Sequence, residues 1–309
     1  MRLELGRVLG NAPGPTLVLI GGMHGNEPAG VEAARRVIER VAGDAALRAA
    51  LLGELVALQG NPPALAAGRR YLGRDLNRQW TAPRLAAARA ALAAADEDAE
   101  LAALVVLEAE LEAILARARG PVFVLDLHTT SAAGMPFVIV GASPADRAFA
   151  TQLGLPGIVG MQETLPGVLT AYLAQRGCIA LAIEGGQNQS PTAITHLEAA
   201  VTVALCAAGI LAPSQLPELG AAQQHLTRTR GELPQLTEVA LRHEVHAGSG
   251  FRMEPGFATI QRVSAGTLLA REQGRELRAP FDGVLLLPLY QAQGSDGFFY
   301  GRELTPRTS

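Results

Sequence analysis

The sequence predicts an α/β protein: a mixed, mostly parallel sheet with helices on both faces, followed by a small C-terminal all-β domain. Three observations support this fold class. Apolar runs typical of buried parallel strands alternate with segments of helical periodicity up to about residue 210. Prolines and fading periodicity mark a boundary near residues 211–219. Beyond it, short β-prone runs are separated by glycines. We therefore predict two domains, at residues 1–215 and 216–309.

These patterns also predict the individual elements. Strands of the first domain are expected at residues 17–20, 53–58, 122–128, 136–140, 158–159 and 178–183. Helices are expected at residues 31–38, 83–119, 165–175 and 192–209, with a short helix starting at residues 143–144. The stretch 83–119 is expected to break near Asp96–Glu97–Asp98, because acidic side chains favour a helix N-terminus. Strands of the second domain are expected at residues 237–241, 256–260, 266–270 and 283–287.

Composition narrows the class of protein. The chain has 309 residues, 49% of them hydrophobic, which predicts a globular fold with a sizeable core. A net charge of −3 gives no electrostatic reason to expect nucleic acid or a membrane surface as partner. The two cysteines, Cys178 and Cys206, are isolated in apolar runs and are interpreted as core residues. Residues 1–6 do not resemble a signal peptide, and no apolar run approaches about 20 residues. We therefore predict a cytoplasmic protein.

A glycine-rich loop follows the first predicted strand and precedes the first predicted helix. It carries His24 and Glu27, an imidazole and a carboxylate separated by two residues. Open α/β sheets bind their ligands at such junctions, outside the carboxyl ends of the strands. His-x-x-Glu is a weak motif by itself, but its position makes this pair a candidate half of a metal site. It lacks the spacing and the lysine of a phosphate-binding P-loop.

Two later strands also end in polar residues. Asp126 and His128 alternate along a strand and therefore share a face, so that the carboxylate can fix the tautomer of a metal-bound histidine. A hydrogen-bonded core histidine is the alternative interpretation. Glu184 closes an apolar strand before two glycines, where partial burial would raise its pKa toward the range of a general base. Residues 69–78 form an arginine-rich loop, for which simple solvent exposure is the alternative.

Taken together, these motifs resemble the succinylglutamate desuccinylase/aspartoacylase family. These are zinc deacylases related to the metallocarboxypeptidases, so the resemblance implies a zinc carboxypeptidase-like sheet. It rests on the order of His24-x-x-Glu27, Arg70 with residues 75–78, Asp126-Leu127-His128-Thr129 and Glu184-Gly185-Gly186, and it covers about residues 1–215. By position, it implies His24, Glu27 and His128 as the ligands of one Zn²⁺ per chain, Arg70 as the oxyanion-stabilising group, Asn77 and Arg78 as binders of a substrate carboxylate, and Glu184 as general base and acid on a zinc-bound water.

One position departs from the family pattern. The aspartoacylase branch carries a second substrate-binding arginine shortly before its catalytic glutamate, and here only Arg176 is basic in residues 171–176. Arg176 is therefore the candidate third substrate-binding residue. The acyl group stays open between N-acetylaspartate, N-succinylglutamate and other N-acylated amino compounds.

The C-terminal module has turns similar to those of biotinyl/lipoyl barrel sandwiches, at residues 266–270 and 279–284. A swinging-arm carrier needs a modifiable lysine, and all 26 basic residues of this chain are arginines, so a carrier function is excluded. We expect the module to serve as a lid, a wall or an oligomer contact. Tyr290 and Tyr300 are interpreted as packing residues rather than substrate contacts, and residues 243–246 as surface rather than a second metal site.

The sequence thus predicts a zinc-dependent amidohydrolase that acts on non-peptide linear amide bonds. Its partner would be a small N-acyl amino acid or related carboxylate, and a homo-oligomer is left open. A zinc carboxypeptidase that cleaves short peptides with the same residues is the first alternative. A non-catalytic binding protein of the same fold is the second. Neither the substrate nor the pathway follows from the sequence.

Overall fold

The protein has a mixed α/β fold built on one large sheet. The computed structural model describes residues 1–94, 97–246 and 248–304. It confirms the predicted α/β class, with helices packed on a large mixed sheet. The strands are β1 (Glu4–Leu9), β2 (Ala12–Gly21), β3 (Leu52–Gln59), β4 (Val122–Thr130), β5 (Phe137–Ile139), β6 (Gly157–Val159), β7 (Ile179–Gln187), β8 (Leu236–Glu244), β9 (Arg252–Met253), β10 (Gln261–Val263), β11 (Leu268–Glu272), β12 (Arg275–Arg278), β13 (Gly283–Leu286) and β14 (Asp296–Glu303).

The strand order of the large sheet brings three central strands side by side. Within the described residues it is β1-β3-β2-β4-β7-β5-β6-β8-β14-β13-β10. β2 runs parallel to β3 and β4, and β4 runs parallel to β7. β1 is antiparallel to β3, whereas β5 is antiparallel to β7 and parallel to β6. β9, β11 and β12 form a separate small sheet. The carboxyl ends of β2, β4 and β7 therefore lie at one edge, where ligand chemistry is expected.

The helices surround the first part of the sheet. They are α1 (Pro28–Gly43), α2 (Ala45–Ala50), α3 (Pro62–Ala67), α4 (Ala82–Ala93), α5 (Ala99–Arg117), α6 (Pro144–Leu153), α7 (Leu169–Ala174), α8 (Thr192–Ala207) and α9 (Leu219–Arg230). The predicted break in the alanine-rich stretch separates α4 from α5, although Asp96 itself lies outside the described residues. Asp98 is the N-cap of α5, and its side chain accepts hydrogen bonds from the backbone N–H groups of Glu100 and Leu101.

Two hydrophobic clusters cover the two faces of the central sheet. Alternation along β2 sends Leu17 and Leu19 to one face and Val18 and Ile20 to the other. The first face packs against apolar residues of α1 and α8, and the second against those of α4, α5 and α7. All four β2 side chains have no exposed surface. This burial on both faces explains why the strand is a continuous apolar run.

Some predicted boundaries differ from the structure. Residues 256–260 were expected to form a strand, but the neighbouring strand is β10, at residues 261–263. Ile260 has φ +61°, a left-handed conformation that a strand cannot contain. The helix expected at residues 165–175 begins only at Leu169, because Pro166 and Gly167 (φ +77°) precede it. The sequence did not predict β1, β9, β12, β14, α2, α3 or α9.

The C-terminal strands continue the large sheet. β8 pairs in parallel with β6, and β14, β13 and β10 follow by antiparallel pairing. The sheet is thus hydrogen-bonded across the boundary near residue 215, and the division into two domains stays a prediction. Among the described helices, none combines the length and the apolarity needed to cross a membrane.

Candidate metal centre

Three adjacent parallel strands position the side chains that the sequence singled out. The loop carrying His24 and Glu27 follows β2, and Glu27 immediately precedes α1. His128 lies near the end of β4, and Glu184 lies on the neighbouring strand β7 as its register partner. Gly25 lets the loop approach α3, since a Cβ there would lie 2.0 Å from the carbonyl carbon of Ala64. Residues that are more than 150 positions apart in the chain therefore meet at one edge.

His24, Glu27 and His128 form a compact group of potential metal ligands. One ligand atom from each lies within 4.8 Å of the others, and all three residues are buried. His24 Nδ1 is 3.0 Å from Glu27 Oε1, and His128 Nδ1 is 3.0 Å from Glu27 Oε2. The Nδ1 atoms of both histidines thus face a single carboxylate. The structure brings together all three predicted ligands.

Two further carboxylates contact the Nε2 atoms of these histidines. Asp75 Oδ1 lies 3.1 Å from His24 Nε2, and Asp126 Oδ2 lies 2.9 Å from His128 Nε2. Carboxylates in this position orient a ligand histidine and fix its tautomer. The sequence predicted this role for Asp126 but assigned none to Asp75. We call the five residues His24, Glu27, Asp75, Asp126 and His128 the metal cluster.

The electrostatics of the metal cluster favour a cation. Burial by itself lowers the pKa of His128, but the charge and hydrogen bond of Asp126 raise it well above its usual value. Burial raises the pKa of Glu27, yet the charge of His24 and the hydrogen bonds of both histidines hold it well below its usual range. Burial also raises the pKa of Asp75, but the charges of His24 and Arg70 keep this pKa well below its usual value. Three carboxylates in one buried site favour positive charge beside them.

The donor set fits zinc. Two imidazoles and one carboxylate leave a position open in a tetrahedral zinc site, which is the pattern of catalytic rather than structural zinc. Each histidine already has the outer hydrogen-bond partner that such ligands require. Asp126 Oδ1 and Glu184 Oε2 are buried and have no hydrogen-bond partner in the described part of the chain. Polar atoms in that state usually have an ion, a water or a substrate beside them.

Glu184 is a buried carboxylate on β7, directly opposite His128 of β4. Its exposed fraction is 8%, and it lines the same cavity as the three potential ligands. Burial raises the pKa of Glu184 to about 8, with a further rise from the charge of Glu27, against the opposing charges of His128 and Arg70. The structure places Glu184 inside β7 rather than at its end, because the strand continues through Gly185 and Gly186 to Gln187.

One buried residue, Glu100, organises the arginine-rich loop. Its carboxylate accepts hydrogen bonds from the backbone N–H groups of Leu72, Gly73 and Arg74 at 2.7–3.0 Å. It also accepts one from Asn61 Nδ2. Glu100 has 1% exposed surface, and the sequence gave no signal of this role beyond an acid in the first turn of α5. The backbone of the loop that carries Arg70 and residues 75–78 is therefore held by a buried carboxylate. The alternative interpretation, a loop that is simply exposed to solvent, does not fit these contacts.

Arg70 reaches the cavity beside the metal cluster. Its Nη1 is 3.4 Å from Glu27 Oε1, and its Nη2 is 3.3 Å from Asp75 Oδ2. Both distances are long for charge-assisted hydrogen bonds. Arg70 Nε is buried and has no acceptor among the described residues. The guanidinium therefore retains hydrogen-bonding capacity for a ligand in the cavity.

Asn77 and Arg78 also line the cavity, but each already has protein partners. Asn77 Oδ1 accepts a hydrogen bond from the backbone N–H of Leu169, and its Nδ2 lies 3.4 Å from His128 Nε2. Arg78 Nη1 donates to the carbonyl of Asn77, and its Nη2 donates to Asp296 Oδ2 at 2.6 Å. Arg78 is thus already paired with a carboxylate of the protein itself, that of Asp296.

Arg176 is not brought to the cavity. Its Nε donates to Glu112 Oε1 at 2.7 Å, and its guanidinium lies 3.5 Å above the ring of Tyr172. It borders a separate surface depression that it shares with Arg89 and Glu108. An arginine near the cavity comes instead from β8: Arg242 donates to Asp296 Oδ1 at 2.7 Å and to the carbonyl of Thr164. We call Arg78, Arg242 and Asp296 the arginine cluster.

The C-terminal part of the chain supplies another portion of the cavity lining. The whole cavity has a volume of about 130 Å³. Gln291 Oε1 accepts a hydrogen bond from Asn26 Nδ2 beside the predicted metal ligands. Neither Gln291 nor Asp296 was predicted, because nothing in the local sequence distinguishes them from surface polar residues. The C-terminal residues among the lining are Leu287, Pro288, Leu289, Gln291, Gly294, Asp296 and Phe299.

Three other sequence interpretations can be compared with the structure. Tyr300 is fully buried and packs edge-on against Phe281, whereas Tyr290 is exposed and its hydroxyl donates to the carbonyl of Glu254. Neither tyrosine is among the residues that line the cavity. His243 is not simply a surface residue. Its ring stacks on Phe298 with centroids 5.1 Å apart, and its Nε2 lies 3.1 Å from Glu272.

Comparison with known proteins agrees with the motif-based resemblance. Residues 13–210 match the succinylglutamate desuccinylase/aspartoacylase catalytic domain. A succinylglutamate desuccinylase of Burkholderia pseudomallei strain 1710b is 32% identical over 173 residues, which cover 54% of this chain and 47% of the relative. One of Yersinia pseudotuberculosis is 39% identical over 66 residues, 21% of this chain and 19% of the relative. The matched region thus spans about half the length or less of these curated relatives.

Solved structures support the fold over nearly the whole chain. A succinylglutamate desuccinylase/aspartoacylase from Rhodobacter sphaeroides has a TM-score of 0.68 and 20% identity, covering 97% of this chain and 88% of that structure. The succinylglutamate desuccinylase of Chromobacterium violaceum has a TM-score of 0.65 and 18% identity, with 96% and 86% covered. At these identities the likeness concerns the fold alone. With nearly two-thirds of its length matching the catalytic domain, this chain belongs to the succinylglutamate desuccinylase/aspartoacylase family.

Proposed function

We propose that this protein is a zinc-dependent deacylase that hydrolyses the amide bond of a small N-acylated amino acid or a related small carboxylate. One observation carries the proposal. His24, Glu27 and His128 present ligand atoms within 4.8 Å of one another in a cavity that also contains the buried, partly unpaired carboxylate of Glu184. Membership of a family of deacylases supports the reaction class.

The metal would be held by His24, Glu27 and His128. A zinc ion in such a site polarises a carbonyl group and lowers the pKa of water, which supplies a nucleophile near neutral pH. Asp75 and Asp126 keep the histidine rings oriented through their Nε2 atoms. The anionic surroundings described above make this site favourable for a divalent cation.

Glu184 is proposed as the general base and general acid. Its Oε2 is free to accept a proton from water in the cavity and to return it to the departing amine nitrogen. A carboxyl group whose pKa is raised by burial suits both steps, because proton transfer is most efficient when the pKa lies near the working pH. Arg70 is proposed to stabilise the negative charge that develops on the amide oxygen, using the hydrogen-bonding capacity that its long contacts leave available.

The substrate is proposed to be small. The C-terminal residues that line the cavity restrict its volume to about 130 Å³, which favours a compact amide over a longer peptide. Asn77 and Arg78 remain the proposed contacts for a substrate carboxylate, and Arg176 no longer belongs to this set because it is paired with Glu112 outside the cavity. The acyl group, the cytoplasmic location and the two-domain division remain proposals.

A substrate panel with metal control tests this function. The protein is stripped with chelator, reloaded with zinc, and assayed for amine release from N-acetyl and N-succinyl amino acids beside dipeptides. We expect zinc-dependent hydrolysis of at least one N-acyl amino acid. Turnover of dipeptides alone would favour the carboxypeptidase alternative. A protein that binds no zinc and hydrolyses nothing would favour the non-catalytic alternative.

Glu184→Gln separates catalysis from metal binding. The amide keeps the size of the side chain but cannot act as a base, so we expect turnover to fall by about 10²–10⁴-fold while zinc remains bound. Glu163→Gln is the matched control, because Glu163 is exposed and lies outside the cavity lining. Wild-type turnover by Glu184→Gln would contradict the proposed role.

A further inference from the structure

Asp296 pairs with Arg78, the arginine that the family resemblance assigns to a substrate carboxylate. It is the first residue of β14, lines the cavity, and lies 218 positions from Arg78 in the chain. Its Oδ2 accepts from Arg78 Nη2 at 2.6 Å, and its Oδ1 accepts from Arg242 Nε at 2.7 Å. The side chains of all three residues are no more than 18% exposed. Both carboxylate oxygens are therefore used within the arginine cluster.

Asp296 occupies one of the N–H groups with which Arg78 could bind another carboxylate. A bidentate pair needs two adjacent N–H groups, and the two such pairs on a guanidinium, Nε with Nη2 and Nη1 with Nη2, both include Nη2. Arg78 Nη1 already donates to the carbonyl of Asn77, and Nη2 donates to Asp296. Among described residues, only Nε of Arg78 has no partner. Each Nη nitrogen carries a second N–H, so a bidentate substrate carboxylate must share Nη2 with Asp296 or displace Asp296 from it.

The charge of the cluster leads to the same conclusion. Two guanidinium groups and one carboxylate leave one net positive charge, where Arg78 and Arg242 without Asp296 would present two. Asp296 thus lowers the attraction for an anion both by its charge and by accepting from Nη2, which a bidentate carboxylate would use. Arg242 acts in the opposite sense, because it shares Asp296 with Arg78 and adds a positive charge.

We propose that Asp296 is a specificity-determining residue that competes with a substrate carboxylate for Arg78. It would lower the selectivity for N-acyl amino acids over the corresponding N-acyl amines, which lack that carboxylate. This inference rests on the proposed function and concerns the amine half of its substrate. It does not alter the roles proposed for the metal cluster or for Glu184.

The test compares pairs of substrates that differ in one carboxylate. Each N-acyl amino acid is paired with its decarboxylated N-acyl amine, with the acyl group held constant, and the ratio of kcat/KM for acid over amine is measured in zinc-loaded proteins. We expect Asp296→Asn to raise this ratio about tenfold. Arg242→Gln should lower it. Glu244→Gln is the matched control: Glu244 lies 3.7 Å from Arg242, outside the cavity lining, and its removal should leave the ratio unchanged.

The outcomes separate this inference from the proposed function. A ratio that is unchanged or lower in Asp296→Asn would overturn the inference, and Asp296→Ser repeats the same charge change if the first variant does not fold. If wild-type protein hydrolyses neither member of any pair, the proposed function fails. Calorimetry then measures the binding of the free amino acid and of its decarboxylated amine, which tests Asp296 without any turnover. If Asp296→Asn binds the amino acid about tenfold more tightly than wild type does, the inference is supported. If both proteins bind it equally, the inference is overturned.

Discussion

The metal cluster and the arginine cluster share one cavity but are built in different ways. The metal cluster is assembled from the ends of β2 and β4 and the loop before α4, and every histidine nitrogen in it faces a carboxylate. The arginine cluster joins Arg78 of that loop to two strands of the C-terminal part, through one shared carboxylate. The metal cluster has three carboxylates around two histidines, whereas the arginine cluster has two guanidiniums around one carboxylate.

This difference separates the proposed chemistry from the proposed selectivity. Residues that hold a metal must be fixed in several directions, and the metal cluster supplies a partner for each ring nitrogen. Residues that select a substrate need only present charge and space, which the arginine cluster does through contacts between distant parts of the chain. Changes in the metal cluster should therefore affect metal binding and turnover together. Changes in the arginine cluster should affect the choice among substrates.

Outside the direct ligands, the largest effect on metal binding is expected at Asp126. Asp126→Asn removes the charge that orients His128 through Nε2, 2.9 Å away, so zinc affinity should fall about 10–100-fold. Competition with a fluorescent zinc chelator measures this affinity. Asp282→Asn serves as control, because Asp282 is exposed and does not line the cavity. Equal affinity in wild type and Asp126→Asn would show that the metal cluster does not depend on its outer carboxylates.

An intermediate effect is expected at Glu100, which supports both clusters through the loop. Glu100→Gln loses the charge that accepts from three consecutive backbone N–H groups, and the free energy of unfolding should decrease by about 1.5 kcal/mol. Denaturant unfolding of metal-free protein measures this change. The exposed Glu97 gives the control Glu97→Gln. Unchanged stability, together with unchanged zinc affinity and substrate choice, would contradict the assigned role of Glu100.

The smallest effect is expected where the C-terminal part contacts the metal-binding loop directly. Gln291→Ala removes one hydrogen bond, from Asn26 Nδ2, and leaves all members of both clusters in place. We expect kcat/KM to change by about threefold or less, because a single neutral hydrogen bond contributes little net free energy. Steady-state kinetics on the preferred substrate measures it. A loss of more than about a hundredfold would mean that the C-terminal part contributes to turnover as well as to selectivity.

The sequence predicted the metal cluster better than the arginine cluster for a physical reason. His24, Glu27, Asp126 and His128 follow or lie in apolar strands, and parallel strands bring their carboxyl ends together whatever their separation in the chain. Asp296 reaches the cavity, and Arg242 reaches Asp296, through the pairing of β8 with β6 and β14, which no local pattern indicated. Arg176 was chosen by its place in the family motif, but Glu112 and Tyr172 hold it elsewhere. The hydrophobic pattern likewise did not indicate the positive φ of Ile260, which lies within the strand expected at residues 256–260.

The zinc content of purified variants tests the central claim most directly. Metal analysis after zinc loading and exhaustive dialysis should find one zinc per chain in wild type and in Glu184→Gln. It should find none in His24→Ala or His128→Ala, because each of these removes one of the three proposed ligands. If His128→Ala retains one tightly bound zinc, or if wild type binds none, then His24, Glu27 and His128 do not form the metal site.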